Sequence, residues 1–280
     1  MEYGDKHILV LGAGASGIGA SWVLAQVGAH VVLNDYKPVT LPADEEKRLV
    51  SAGVDIITGR QDESLLDGVD RIVISPGISL DIPIVKAAQA RGIDVVSEVE
   101  VAYELSKSPI VAVTGTNGKT TTTTLLTKVL EGTGKPVRVG GNIGDSLSEV
   151  AYSMPADGFL VAELSSYQLE TIKHFRPIGA IMLNITPDHL ARHKTMENYI
   201  AAKERIFENQ LSTDFMVLNI DDPIVADMKH RAPSHILEIS QHQVVSNGAY
   251  YDKGQCYVTK NGTATVSYTH LRAHETGRNL

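Results

Sequence analysis

The sequence predicts an α/β protein in which a doubly wound parallel sheet is followed by a second α/β unit that opens on a glycine loop of its own. Three observations carry this expectation. Short runs rich in Val and Ile alternate with amphipathic stretches of helical length. Gly28, Gly53 and Gly92 stand where the helices between those runs must stop. A glycine-rich loop follows the first strand of each unit.

Taken in order, strands are expected near residues 7–12, 30–34, 54–58, 70–75 and 93–97. Helices are expected near 17–27, 45–52, 83–91 and 98–106. Ser106-Lys107-Ser108-Pro109 is polar and ends in a residue that opposes helix continuation, which places a domain boundary after residue 107. The second unit, residues 108–265, then reads as strand 110–114, helix 119–131, strands near 158–163, 178–185 and 215–220, and a helix near 196–210. Residues 246–280 break this alternation. From Val266 onward neither period is visible, so residues 266–280 are expected not to be a native continuation.

With 280 residues, 43% hydrophobic and 21% charged, the chain has the composition of about two globular domains. A net charge of -8 without a basic stripe argues against a nucleic-acid partner. The one cysteine, Cys256, cannot form an internal disulfide, as is usual in the reducing cytosol. Ile8 to Leu11 is too short for a signal peptide, and no run reaches the ~20 apolar residues of a membrane span. A cytoplasmic protein without membrane insertion is therefore expected.

Gly12-Ala13-Gly14-Ala15-Ser16-Gly17 lies between a strand and a helix, and Asp35 closes the next strand 18 residues past Gly17. Such a loop brings backbone N–H groups and a helix N-terminus against phosphate. It does not by itself separate NAD from another phosphorylated ligand, and a purely structural turn has the same spacing. The second loop, Gly115-Thr116-Asn117-Gly118-Lys119-Thr120, follows an apolar strand and opens a helix, although Ala112 stands where the first glycine of a P-loop belongs. Its backbone would cradle phosphates, Lys119 would reach the β- and γ-phosphates, and Thr120 could bind Mg²⁺. The threonine run from Thr120 to Thr124 makes a poor helix interior, tolerable where phosphate binds the helix start. Glu163 closes an apolar strand beside that loop, where a carboxylate can meet a phosphate-bound Mg²⁺ or simply face solvent. His189, after Asp188, and Lys203, with Glu204 and Glu208 in reach, read locally as surface residues.

Gly115-Thr116-Asn117-Gly118-Lys119-Thr120-Thr121 resembles the ATP loop of the Mur ligase family. So do four later blocks, taken in order: 141–144 (GNIG), 163–170 (ELSSYQLE), 184–190 (NITPDHL) and 201–203 (AAK). The first glycine loop, Ser75-Pro76-Gly77-Ile78 and Ser97-Glu98-Val99-Glu100 resemble the family member that adds D-glutamate. The resemblance covers about residues 5–245 and implies a Rossmann-like first domain that holds the UDP of a sugar substrate rather than NAD. It implies a P-loop-type ATPase domain after it, incomplete at its C-terminal end. Ser16, Asp35, Ser75, Pro76 and Gly77 become contacts to uridine and diphosphate, with Asn142 and Gln168 nearer the muramoyl-alanine end. Gly115, Thr116, Asn117, Gly118, Lys119, Thr120 and Thr121 become the ATP loop. Glu163 and His189 become magnesium ligands, and Lys203 becomes a carbamate that holds a second Mg²⁺.

The implied reaction is ATP-dependent joining of D-glutamate to UDP-N-acetylmuramoyl-L-alanine through an acyl phosphate, by a monomer that acts in cell-wall synthesis. The family's third, glutamate-binding domain and its adenine-contacting histidine-asparagine segment are not found in this sequence. One departure stands within a matching block: Ala191 in 188–192 (DHLAR) replaces a second acid. Two other readings remain open, an NAD(P)-dependent oxidoreductase using the first loop alone and a nucleotide-binding fragment without turnover. A sibling ligase or a folate polyglutamate synthase would be told apart by its acceptor.

Overall fold

In the computed structural model, which describes residues 3–268, the chain opens with β1 (His7–Leu11), α1 (Ala15–Gln26), β2 (His30–Asp35), α2 (Ala43–Ser51), β3 (Asp55–Thr58), β4 (Arg71–Ile74), α3 (Pro83–Ala90), β5 (Asp94–Ser97) and α4 (Glu98–Leu105). The five strands pair in parallel in the order β3-β2-β1-β4-β5. Both faces of this sheet are covered, so its strands carry runs of consecutive apolar residues, such as residues 8–11 and 72–74, rather than an alternation. Along β1, Ile8 and Val10 pack with Ala20 and Leu24 of α1, while Leu9 and Leu11 pack with Ile84, Val85 and Ala88 of α3. The strand order reverses between β1 and β4, and a crevice at that switch point is where such sheets take ligands.

The chain continues with β6 (Ile110–Thr114), α5 (Lys119–Glu131), β7 (Val137–Gly141), α6 (Leu147–Ser153), β8 (Phe159–Glu163), α7 (Ser166–Leu169), β9 (Gly179–Met182), α8 (Leu190–His193), α9 (Met196–Glu204), β10 (Phe215–Asn219), α10 (Pro223–Asp227), β11 (His235–Ser240), β12 (Gly248–Asp252), β13 (Gln255–Lys260) and β14 (Thr263–Tyr268). These strands form a nine-stranded sheet in the order β14-β13-β12-β11-β10-β9-β6-β8-β7. It is parallel from β7 to β12 and antiparallel from β12 to β14. The strand that carries the second glycine loop, β6, lies between β9 and β8.

The structure departs from the sequence reading in several places. The helix expected over 196–210 ends at Glu204 and passes into a 3₁₀ turn at Arg205–Phe207. The strand expected to reach residue 185 ends at Met182, which frees Leu183, Asn184 and Ile185 for a loop. β7, α6 and β11 were not anticipated; the first two are short and interrupted by polar residues or glycine. Residues 248–268, in the stretch expected to break the alternation, form a three-stranded meander. Its turns are Lys253-Gly254 and Asn261-Gly262, each with both residues at positive φ (46° and 85°, 51° and 76°), the mirror-image turn that suits the twist of a hairpin. Of the tail expected at 266–280, Val266–Tyr268 belong to β14 and residues 269–280 lie outside the described residues.

The two sheets are joined through α4. Fully buried Glu100 accepts three backbone N–H bonds, from Lys173 (2.7 Å), His174 (2.7 Å) and Phe175 (3.1 Å). Buried Glu98 reaches Ser146 and Ser148, and Arg48 of α2 pairs with Glu149 of α6. Trp22 meets Tyr152 edge-on with ring centroids 6.0 Å apart. Removing the Glu100 carboxylate takes the acceptor from three backbone donors, of which the Phe175 N–H is buried. Glu100→Ala is therefore expected to lower unfolding free energy by roughly 3 kcal/mol in a urea titration. A change below roughly 0.5 kcal/mol would show that water replaces the carboxylate without loss.

Candidate functional site

Strand β6 ends in Thr114, and the chain then turns through Gly115 at φ 150° and Gly118 at φ 83° before α5 begins at Lys119. A side chain at Gly115 would stand 2.9 Å from Cβ of Leu183 and 3.3 Å from the Asn184 backbone nitrogen, so the loop lies directly against the exit of β9. That exit fixes the loop. The Asn117 backbone N–H donates to Asn184 Oδ1 (2.8 Å), Asn184 Nδ2 donates to the Asn117 carbonyl (3.0 Å), and the Thr116 N–H donates to the Asn184 carbonyl (2.9 Å). Thr116 Oγ1 is also 3.0 Å from the Tyr199 hydroxyl. Sequence reasoning assigned no role to Asn184 or Tyr199, although Asn184 stands first in one of the matching blocks.

Two lysines converge on this turn. Lys119 Nζ donates to the carbonyls of Gly115 (3.1 Å) and Thr116 (2.9 Å). Lys203, only 2% exposed, donates to the same Gly115 carbonyl at 2.8 Å and lies 5.0 Å from the centre of the Tyr199 ring. It does not form the surface pair that local spacing allows: Arg205 takes Glu208 and Arg231 takes Glu204. Burial, reinforced by the charge on Lys119, pulls the Lys203 ammonium down to about 7, while Asp188 acts weakly in the other direction.

Register places the third group. Val113 pairs with Glu163 across β6 and β8, so the last residue of β8 arrives beside the loop. Glu163 is 1% exposed; Oε1 accepts from Asn142 Nδ2 at 2.8 Å, and the buried Oε2 has no partner. A buried carboxylate oxygen left open beside a glycine loop of this kind is a donor that a divalent cation can take. Among the described residues no three His, Cys, Asp or Glu side chains assemble a metal centre. The donor set is thus mixed, and Glu163 with the exposed Thr120 fits a cation that also takes phosphate oxygens.

His189 heads α8 in a left-handed conformation (φ 53°), half exposed, 3.5 Å from Asp188 and against the Tyr167 ring at 5.0 Å. His193, buried, bonds Ser166 Oγ through Nε2 (2.9 Å) and stacks on Tyr167 at 5.3 Å. Burial pushes His193 below the usual imidazole range, so it is neutral at pH 7. Gln168 is buried; its carbonyl oxygen accepts from the Ser165 N–H (2.9 Å) and hydroxyl (3.0 Å) in a capping box. Asn142 lies exposed in the loop after β7. Next to the second loop a cavity of about 790 Å³ runs from Asn117, Gly118 and Thr122 toward Asn219, His242 and Tyr250, large enough for a nucleoside.

The first loop sits at the other sheet's switch point. A Cβ on Gly17 would meet the Gly12 carbonyl at 1.8 Å, so only glycine lets α1 start this close to β1. α1 begins without a capping side chain or an acid in its first turn, which leaves its N–H groups and dipole to an anion. Ser16 lies in that turn; Ser75, Pro76 and Gly77 follow β4 directly, and Ser75 Oγ donates to the Gly12 carbonyl at 3.2 Å. Both oxygens of Asp35 are engaged by backbone, from Ala13 N (3.0 Å) and Lys37 N (2.9 Å). Asp35 therefore braces the loop. The predicted residues thus form two clusters, one at the carboxyl end of each sheet.

Comparison with known proteins agrees with this arrangement. Residues 113–277, more than half of the chain, match the Mur ligase middle domain, and residues 6–97 match the Mur ligase MurD-like N-terminal domain. The chain belongs to the Mur ligase family. It is 46% identical over 264 residues to the UDP-N-acetylmuramoylalanine--D-glutamate ligase of Thermoanaerobacter sp. (strain X514), covering 94% of this chain and 58% of that protein. It is 44% identical over 257 residues to the ligase of that name from Halalkalibacterium halodurans, covering 92% and 57%. The chain thus spans less than two thirds of the relatives it matches. Its fold is that of the UDP-N-acetylmuramate:L-alanyl-gamma-D-glutamyl-meso-diaminopimelate ligase from Neisseria meningitides, with a TM-score of 0.63 at 20% identity, covering 97% of this chain and 90% of that one. Among the described residues no helix of this Mur ligase chain is long and apolar enough to cross a membrane.

The charge state of Lys203 has a measurable sign. Between about pH 7 and the ordinary lysine value of 10.5 the unfolded chain holds a proton that the folded chain has released, so this residue makes stability rise with pH across that window. Below about pH 7 the cost of burying the charge is fully present. Lys203→Met should be stabilised relative to wild type most at pH 7, with the gap closing toward pH 10. A pH-independent gap in denaturation midpoints would show that Lys203 titrates normally.

Proposed function

We propose that the chain forms the UDP-substrate-binding and ATP-binding parts of a UDP-N-acetylmuramoyl-L-alanine:D-glutamate ligase of peptidoglycan precursor synthesis. The observation that supports this most is the convergence of Lys119 and Lys203 on the Gly115 carbonyl beside the open oxygen of Glu163. Such a site suits a triphosphate and its cations. In this reading the alanyl carboxylate of the UDP-sugar takes the γ-phosphoryl group of ATP, and ADP leaves. The amine of D-glutamate then attacks the acyl phosphate, phosphate leaves, and an amide forms. Positioning and electrostatics supply most of such catalysis.

The residues divide the work. Gly115, Thr116, Asn117, Gly118, Thr120 and Thr121 hold the phosphates at the start of α5, and Lys119 leaves its loop carbonyls to neutralise charge on the transferring group. Mg²⁺ held by Glu163 and Thr120 would offset the remaining phosphate charge. Lys203 is suited to carbamate formation, because the neutral amine attacks CO₂ and then loses a proton, and its ammonium is already pulled down to about 7. With His189 6.3 Å from the Tyr199 ring that Lys203 also faces, the resulting anion would serve a second Mg²⁺. In the first unit, Ser16, Ser75, Pro76 and Gly77 receive uridine and diphosphate at the start of α1 and Asp35 holds the loop; Asn142 and Gln168 of the second unit serve the muramoyl-alanine end.

We place the protein in the cytoplasm as a monomer, with its partners limited to the nucleotide sugar, ATP and D-glutamate. The 280-residue chain taken by itself is expected to bind without turnover: it spans 58% of the first relative, and the family resemblance implies that D-glutamate is held by a further domain. Calorimetry should give binding of UDP-N-acetylmuramoyl-L-alanine and of ADP, none of NAD, and no phosphate release when ATP, Mg²⁺ and D-glutamate are added. Lys119→Ala should weaken ADP by about tenfold or more. NAD binding in place of the UDP-sugar would overturn the reading in favour of an oxidoreductase. In ¹³C-bicarbonate, a carbamate carbon signal is expected from the wild type and not from Lys203→Arg; its absence from both would remove the second cation site.

A further inference from the structure

Between the two clusters lies a buried carboxylate that neither uses. Glu98 is 2% exposed at the start of α4, immediately after β5 of the first sheet. Its Oε1 accepts from the Ser146 hydroxyl at 2.7 Å and from the Ser148 backbone N–H at 2.6 Å, at the start of α6 in the second unit. Its Oε2 is buried and has no partner, and burial pushes the carboxyl above the usual range. A half-satisfied buried acid costs free energy that a well-packed apolar side chain would not. A role beyond packing is therefore the economical account of it.

What Glu98 holds is the end of the loop that supports Glu163. Residues 141–145 leave β7 and return at Ser146, closed by Gly141 N–H to the Asp145 carbonyl at 3.2 Å. That loop is pressed against the last residue of β8. The Asn142 backbone N–H donates to the Glu163 carbonyl at 2.8 Å, and its side-chain amide donates to Glu163 Oε1 at 2.8 Å. A Cβ on Gly141 would stand 2.4 Å from the Glu163 carbonyl, so the loop has no slack on that side. On its other side Ser146 is wedged against α1, where a Cβ on Gly19 would come within 2.2 Å of Ser146 Oγ. The helix that begins at the first glycine loop thus touches the same serine.

We propose that Glu98 is a positioning residue: by clamping Ser146 and Ser148 it fixes the 141–145 loop, which in turn orients Asn142 and leaves the second oxygen of Glu163 free for a cation. It never touches a ligand. Its action reaches the phosphate site only through the loop, and it lets the first unit set the geometry of a carboxylate in the second. The inference rests on the proposed role of Glu163 in holding Mg²⁺.

The test is calorimetric titration of the whole chain with ADP, with and without Mg²⁺, alongside thermal unfolding. In wild type, Mg²⁺ is expected to tighten ADP. In Glu98→Ala the Mg²⁺-free affinity should stay within about twofold while the tightening falls by about tenfold, as for supports behind metal ligands. Glu98→Gln keeps an acceptor for Ser146 and Ser148 and should restore most of it. If Glu98→Ala does not fold, Ser146→Ala, which removes a single hydroxyl, should give a partial loss of the same kind. Mg²⁺ tightening that survives in Glu98→Ala, or a loss that affects ADP equally with and without Mg²⁺, would overturn the clamp while leaving the functional reading intact. A wild-type chain that binds no ADP, or binds it without regard to Mg²⁺, would overturn both.

Discussion

The second site depends on one backbone carbonyl, that of Gly115, which accepts from two ammonium groups at 3.1 and 2.8 Å. Two like charges this close repel, and in a partly desolvated pocket the repulsion is several times what it is in water. The arrangement stands because the carbonyl is held from behind: Thr116 and Asn117 are tied to Asn184, and Thr116 to Tyr199. The consequence is a pair of amines held close together on one carbonyl, the buried one discouraged from keeping its charge. The same repulsion, added to burial, explains why it is Lys203 and not an exposed lysine whose amine is ready to lose its proton near neutrality.

Sheet order supplies the rest. Because β6 lies between β8 and β9, both neighbours deliver their carboxyl ends to the loop at once: β8 brings Glu163 and β9 brings Asn184. In a parallel sheet a shift of one residue in either pairing would turn these side chains to the opposite face. The apolar layers on both sides of the sheet oppose such a shift, since it would exchange Val161 and Ala162, side chains of different size that are fully buried on opposite faces. Core packing and site geometry are therefore one constraint, and the first unit obeys the same rule, with β1 delivering its glycine loop and β4 delivering Ser75 to one switch point.

Much of this was legible in the sequence, and the failures have physical causes. The parallel strands were visible because burial on both faces makes them continuous apolar runs, and the loops because glycine is required by geometry at Gly17 and Gly115. The meander over 248–268 was missed although Asn261-Gly262 is a strong hairpin signal; its strands mix Tyr, Lys and Asp and lack a clean apolar alternation, since they lie at the sheet's edge. Lys203 was dismissed by local spacing, yet Tyr199, Ala202, Lys203 and Ile206 are the buried stripe of one helical face. A charged residue on such a stripe is itself a sign of function. Glu98 enters the sequence reading only as part of the 97–100 block, without a role of its own, because what makes it notable is a pairing across 48 residues with Ser146.

The departure at Ala191 is explained by the same geometry. Ala191 is exposed on α8, and only its backbone carbonyl is used, by Lys194 at 3.0 Å. Its neighbours do the holding. Arg192 pairs with Glu170 at 2.5 Å and lies 4.8 Å over the Tyr167 ring, while His193 bonds Ser166 and stacks on the same ring. These contacts fix α8 from the inside, and with it the left-handed His189 that begins the helix. An acid at position 191 would point to solvent beside Lys194, where it could adjust the local field but could not steer His189. The alanine therefore leaves the frame of α8 intact, because none of the contacts that fix the helix passes through the side chain at that position.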